Sequence, residues 1–152
     1  MSKHSDHPTA IKNRSMPPGS VIPELAYEDV REAATWLCET FGFKERLLIG
    51  NHRIQLLVGD GSVVVTERRQ EGPGISQPGD IIHSTMVSVE DVDGHHQRVA
   101  RSGARILRPP TTHPFGERQY TVEDLGGHQW TFSQSVADVD PKDWGGVLVN
   151  PA

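Results

Sequence analysis

The chain reads as an α+β domain of two tandem βαβββ units, forming paired half-barrel cups around a cleft. Three observations predict this. Two stretches with helical apolar spacing each open on Glu-Asp-Val and close on glycine, from Glu28-Asp29-Val30 to Gly42 and from Glu90-Asp91-Val92 to Gly103. Each is preceded by one segment of strand character and followed by three. A segment rich in glycine and proline, Glu67 to Asp80, separates the two sets. The same elements in the same order, twice, mark an internal duplication.

The elements follow in turn. Residues 1–20 are polar, end in Met16-Pro17-Pro18-Gly19-Ser20 and offer little to pack, so a mobile arm is expected. Val21 to Tyr27 suits a strand, with Pro23 confining it to a sheet edge or a strand start. Asp29 supplies an N-cap carboxylate, with Glu32 as the return half of a capping box. Val30, Ala33, Ala34, Leu37 and Phe41 then share one helical face, and Gly42 sits where a left-handed C-cap belongs. Lys44 to Ile49, His52 to Val58 and Ser62 to Thr66 read as strands, joined by Gly50-Asn51 and Gly59-Asp60-Gly61 turns.

The second unit repeats this grammar. Ile82 to Val89 reads as a strand and Asp93 to Ser102 as a helix ended by Gly103. Arg105 to Leu107 is a short strand, Arg108 to Gly116 a proline-rich loop and Glu117 to Val122 a strand. The turn Asp124-Leu125-Gly126-Gly127 leads to a last strand, His128 to Gln134. The domain thus spans 21–134, with repeat one at 21–67, repeat two at 81–134 and a tail at 135–152. The tail's lone Trp144 is expected to dock, on its own domain or on a partner subunit.

Composition bounds the function. A chain of 152 residues suits one domain. A net charge of −5 argues against a nucleic-acid partner, which needs a basic face. No apolar run approaches the roughly 20 residues that span a bilayer, so no membrane association is expected. The polar N-terminus and the single Cys38 suit a reducing cytoplasm. Cys38 falls on the apolar side of the first helix and should be a buried, inert thiol.

Several pieces together resemble the vicinal-oxygen-chelate superfamily of glyoxalases, bleomycin-resistance proteins and dioxygenases, and within it the PhnB-like branch. They are Glu28-Asp29-Val30 with Trp36-Leu37 and Phe41-Gly42-Phe43, then His83 to Val92, Phe115-Gly116-Glu117-Arg118, and Asp124 to Phe132. The resemblance implies a small organic molecule as partner, a homodimer, and four metal-ligand positions, one on each of four strands. Those positions fall at Ile22, Val65, Ser84 and Thr131. Aliphatic side chains and neutral hydroxyls are poor ligands, so no metal or other cofactor is expected. A slip of one residue brings in His83, and a shift of two brings in Glu24 and Glu67; that variant site would hold one divalent ion.

The candidate residues carry alternative readings. His83 is the first suspect for a metal or a general base, because its imidazole titrates near neutrality; strand alternation turns it away from the face of Ser84. Glu24 and Glu67 are candidate bases, as a desolvated carboxylate can take a proton next to a carbonyl, but both lie near strand ends. Ser84, Met86 and Thr131 are candidate ligand contacts. Arg118 and Tyr120 share a strand face, and if it lines the cup, Arg118 can clamp an anion; otherwise it is a surface arginine paired to a glutamate. His113 and Phe115 lie in a loop suited to a pocket mouth. His52 and Gln55 are lesser pocket candidates; Trp130, opposite Thr131, is expected in the helix-facing core. His95 and His96 diverge on their helix and cannot chelate one ion together, and His96 is expected to pack. The reading is a small-molecule-binding protein of the sequestering kind, with a metal-dependent lyase, isomerase or dioxygenase as the alternative; whether a reaction is catalysed stays open.

Overall fold

A computed structural model describes residues 12–68 and 83–149. The first repeat runs β1 (Glu24–Tyr27), α1 (Val30–Phe41), β2 (Lys44–Ile49), β3 (Arg53–Val58) and β4 (Gly61–Glu67). The second runs β5 (Ser84–Ser88), α2 (Val92–Arg101), β6 (Arg105–Thr112), β7 (Glu117–Glu123) and β8 (Gln129–Ser135). Each repeat folds its strands into one sheet, in the orders β1-β4-β3-β2 and β5-β8-β7-β6. In both, the opening strand runs parallel to the last one and the other neighbours are antiparallel. The two tandem βαβββ units are therefore present as the sequence predicts. No helix among the described residues is long and apolar enough to cross a membrane.

Both helices start where an aspartate can cap them. Asp29 accepts from the amide of Glu32 at 2.9 Å, and Asp91 from that of Gly94 at 3.1 Å. Gly42 takes φ +85° and returns its amide to Cys38 O, a left-handed cap that a side chain would strain. Two further end carbonyls of α1 are answered from the second repeat. Arg98 donates to Glu39 O at 3.0 Å, and the His95 ring meets Phe41 O at 3.2 Å.

One apolar core joins the repeats. Leu25, Leu37, Ile54, Leu56 and Val65 come from the first, and Val92, Val99, Val122, Trp130 and Phe132 from the second. Phe41 sits between them, 5.4 Å from the Trp130 ring and 5.0 Å from Phe132. Beside it, buried Asp124 accepts from the Tyr27 hydroxyl at 2.6 Å and from the Trp130 indole N–H at 2.9 Å. Its other oxygen takes the amides of Gly126 and His128, so the β7–β8 turn and the end of β1 share one carboxylate.

Three details depart from expectation. The proline-rich stretch after Leu107 is strand, not loop, since β6 continues to Thr112. It is the edge strand, its pairing with β7 slips between Arg108 and Thr111, and Pro109 and Pro110 lie there, where no ladder amide is needed. Strand β1 is shorter than the expected segment and starts after Pro23. Residues 14–18 of the arm, expected to be loose, lie against the first sheet, and Pro17 is buried. Most of the linker, like residues 1–11, lies outside the described residues. In the tail, Trp144 docks on its own domain, 5.6 Å from Phe115, after a single 3-10 turn at Pro141–Trp144.

Candidate functional site

Alternation along β8 separates two faces of the second sheet. Trp130 and Phe132 are buried under α2, while Gln129, Thr131, Ser133 and Ser135 point to the other side. Strand register carries that open face across the sheet. Met86 pairs with Thr131, Thr131 with Thr121, and Ser133 with both Ser88 and Gln119. The side chains form a polar ladder: Thr121 and Thr131 hydroxyls lie 2.9 Å apart, and Gln119 donates to Ser133 at 3.1 Å. Ser133 and Ser135 donate to the two oxygens of Glu117, at 2.6 and 2.5 Å. Met86 stands on this face with 63% of its surface exposed.

Ser84, Met86 and Thr131 are thus brought together on one face. Thr121, Gln119, Glu117, Ser133 and Ser135 join them and were missed. Counting by twos from Thr131 finds the two serines, but the β7 partners depend on register, which the sequence does not display.

Arg118 and Tyr120 are a correction. They share a face, as alternation requires, but it is the helix-facing one. Arg118 lays its guanidinium on the Asp93 carboxylate of α2, at 3.0–3.2 Å, and on Thr112 Oγ1 at 3.0 Å, so the anion clamp is already closed by the protein itself. Tyr120 is fully buried, its hydroxyl 2.5 Å from His95 Nδ1. Phe41 O can only accept, so His95 Nε2 carries the proton and Nδ1 accepts from Tyr120. Burial lowers the His95 pKa below its usual value, against the opposing effect of the bond to Phe41 O, and raises that of Tyr120. Phe115 stacks on His113 at 5.0 Å and supports Trp144, so its ring serves the tail. His96 packs edge-on against Tyr120.

The variant metal set does not gather. Glu67 pairs in register with Tyr27, on the helix-facing side, and not on the inner face expected of it. Val65 likewise is buried core; the open face of β4 carries Ser62, Val64 and Thr66, one residue out of step with the expected ligand position. Glu24 does lie on the open side, where Arg53 holds it at 2.7 Å. The His83 ring sits 6.4 Å from that of His128, whose Nε2 is 2.9 Å from Ala26 O. Among the described residues no three His, Cys, Asp or Glu side chains converge. Among the described residues, the side chains at the expected ligand positions are not a donor set that suits the superfamily's metal.

The open face of the first sheet is covered. Gln55 and Ser62, each 4% exposed, donate to Ser15 O and Pro18 O at 2.8 Å, and Arg46 donates to Arg14 O at 2.9 Å. A separate cavity of about 280 Å³ opens between the start of α1 and the β7–β8 turn, lined by Tyr27, Glu28, Asp29, Glu32, Arg68 and Gly126 among others. It touches none of the residues anticipated from the sequence. Cys38 is half-buried, and burial pushes its thiol pKa up, away from nucleophilic reactivity.

With this geometry in hand, comparison with known proteins places the chain. Residues 20–132 match the Glyoxalase/Bleomycin resistance protein/Dioxygenase superfamily. Among solved structures, TioX from Micromonospora sp. ML1 is 37% identical over 77% of this chain and 99% of its own, with a TM-score of 0.65. TnmS3, an antibiotic binding protein from Streptomyces sp. CB03234, is 22% identical over 75% and 93%, with a TM-score of 0.60. Lactoylglutathione lyase from Agrobacterium tumefaciens is 15% identical over 86% and 100%, with a TM-score of 0.58, and shares the fold. Comparison with curated proteins finds no match. With two βαβββ units in the expected order and the match running through both, the chain belongs to the Glyoxalase/Bleomycin resistance protein/Dioxygenase superfamily.

Proposed function

We propose that the chain binds a small organic molecule on the open face of its second sheet, without a metal ion, and works by affinity and not by turnover. The observation that carries this is Met86, an exposed apolar side chain set beside the Thr121–Thr131 hydroxyl pair on a sheet whose other face is core. A thioether gives adaptable, polarizable contact to an apolar body, while hydroxyls, the Gln119 amide and the Glu117 carboxylate offer directed polar contacts. Antibiotics are the first class to screen, since TnmS3 is by name an antibiotic binding protein.

A flat sheet face buries too little of a ligand alone, so a second copy of the chain completes the cup in this reading. The half-buried single thiol suits a reducing cytoplasm.

Two measurements test the proposal. Calorimetry against a panel of antibiotics should find a ligand whose affinity falls about tenfold or more in Met86→Asp, while circular dichroism shows the fold of the chain retained. Elemental analysis after incubation with zinc, nickel, manganese or ferrous iron and desalting should find well under one metal per chain. A stoichiometric ion with no antibiotic bound would replace this reading with the metal-dependent one.

A further inference from the structure

The tail carries an apolar run that its own fold leaves bare. After β8 the amides of Val136 and Ala137 donate to Gly116 O, at 2.8 and 3.3 Å. Residues 140–146 then close on themselves: Lys142 N donates to Asp140 Oδ1 at 3.0 Å, and Gly146 N to Pro141 O at 2.7 Å. Trp144 pins this turn to the domain, on Phe115. Gly145, at φ +93°, ends the turn, and Val147, Leu148 and Val149 follow with 79, 65 and 87% of their surfaces exposed. Scattered apolar residues on a surface are ordinary. Three in succession, two of them β-branched, make an extended apolar edge that water disfavours.

Met86 is the matching gap. It stands, itself exposed, on the open face of the second sheet, beside hydroxyls that can donate to main-chain carbonyls. The first sheet shows that this fold covers such a face with a chain segment: Gln55 and Ser62 donate to carbonyls of the arm, and Pro17 is buried. While Trp144 stays on Phe115, the tail falls short of Met86 in its own chain. Glu117, just past Phe115, pairs with Ser135, and Met86 pairs with Thr131. Four residues along the strands and two strands across amount to about 16 Å. The four residues from Trp144 to Leu148 span at most about 14 Å. We infer that two copies exchange tails, the Val147–Val149 segment of each lying on the open second-sheet face of the other, against Met86. Two-fold symmetry makes both contacts at once. The inference rests on the reading of that face as a ligand cup and says what the second copy adds to it: an apolar wall beside the polar ladder.

The test links full chains through single cysteines, with Cys38→Ser in every one. Chains bearing Met86→Cys are mixed with chains bearing Val147→Cys or Leu148→Cys and mildly oxidised. Neighbours in an extended segment point to opposite sides, so one of the two tail positions meets Met86. A disulfide needs Cα atoms within about 7 Å, so that pair should link about fivefold or more above the same tail cysteine mixed with Val21→Cys, another exposed site. Mass spectrometry of the linked peptides gives the yields. Yields no higher than the Val21→Cys control would overturn the exchange. So would a disulfide closed within one chain when both substitutions are placed on it. A protein that sediments at twice the chain mass but forms no such link loses the exchanged tail and keeps the cup, whose own test is the antibiotic calorimetry.

Discussion

Asp124 concentrates more buried polar contacts than any other side chain described above. Replacing it with alanine leaves the Tyr27 hydroxyl and the Trp130 indole N–H buried without an acceptor. At about 1–3 kcal/mol for each orphaned donor, Asp124→Ala should lower unfolding stability by about 2–6 kcal/mol in urea melts. Tyr27 is also held un-ionised: burial, and then the adjoining carboxylate, raise its pKa well above the usual phenol range. The chain's two tyrosines, Tyr27 and Tyr120, are both raised. Below a pH of about 10 the phenols are protonated in folded and unfolded chains alike. Above it only the unfolded chain ionises, so stability falls as pH rises. Ultraviolet titration should show no tyrosinate until the protein unfolds. His95 acts at the other end of the scale. Its lowered pKa means that the unfolded chain binds the proton first, so its contribution is intact above a pH of about 6.5 and declines as pH falls below it. His95→Gln should flatten the change in melting temperature between pH 8 and pH 5.

At the scale of elements, close approach decides where glycine is needed. Gly116 has φ +88°, and a Cβ there would stand 2.3 Å from Ala137 O, on the carbonyl of the tail that passes over it. Its own carbonyl takes the amides of Val136 and Ala137, at 2.8 and 3.3 Å. Gly116→Ala should therefore strain the turn and lift the tail, raising hydrogen exchange at those two amides and lowering stability by about 1–3 kcal/mol. Elements are also where the sequence was most legible. Asp29 and Gly42 announced the ends of α1 because a cap is local to a few neighbouring residues, whereas α2 starts at Val92 under an Asp91 cap, one residue before the expected Asp93. The edge strand through Pro109 and Pro110 was not legible, because proline forbids a central strand and the residues do not say which strand is outermost. Nor was the arm, since its contacts join positions about 30 to 45 residues apart through a backbone that carries no side-chain signature. Ser84 and Thr131 were named through the resemblance, with Met86 beside them, and the strand register puts the three on one face; the faces of Arg118 and Glu67 depend on which side α1 and α2 chose.

For the whole molecule, the duplication is complete in topology and broken in use. One sheet keeps its outer face covered by the chain's own arm; the other leaves an exposed methionine among hydroxyls. A second copy closing over that exposed face is the expected solution state, so sedimentation equilibrium should give twice the chain mass, and Met86→Asp should shift it towards the single chain.

The end carbonyls of α1 that His95 and Arg98 receive have a consequence for the history and engineering of this fold. The first unit caps its own helix through Gly42, but the carbonyls of Glu39 and Phe41 are met by donors of the second. Expressed alone, a fragment ending before the linker should remain largely uncoiled by circular dichroism, and so should its counterpart. Mixed, the two should restore each other's helical signal, reassembling from separate chains a protein that neither half can make.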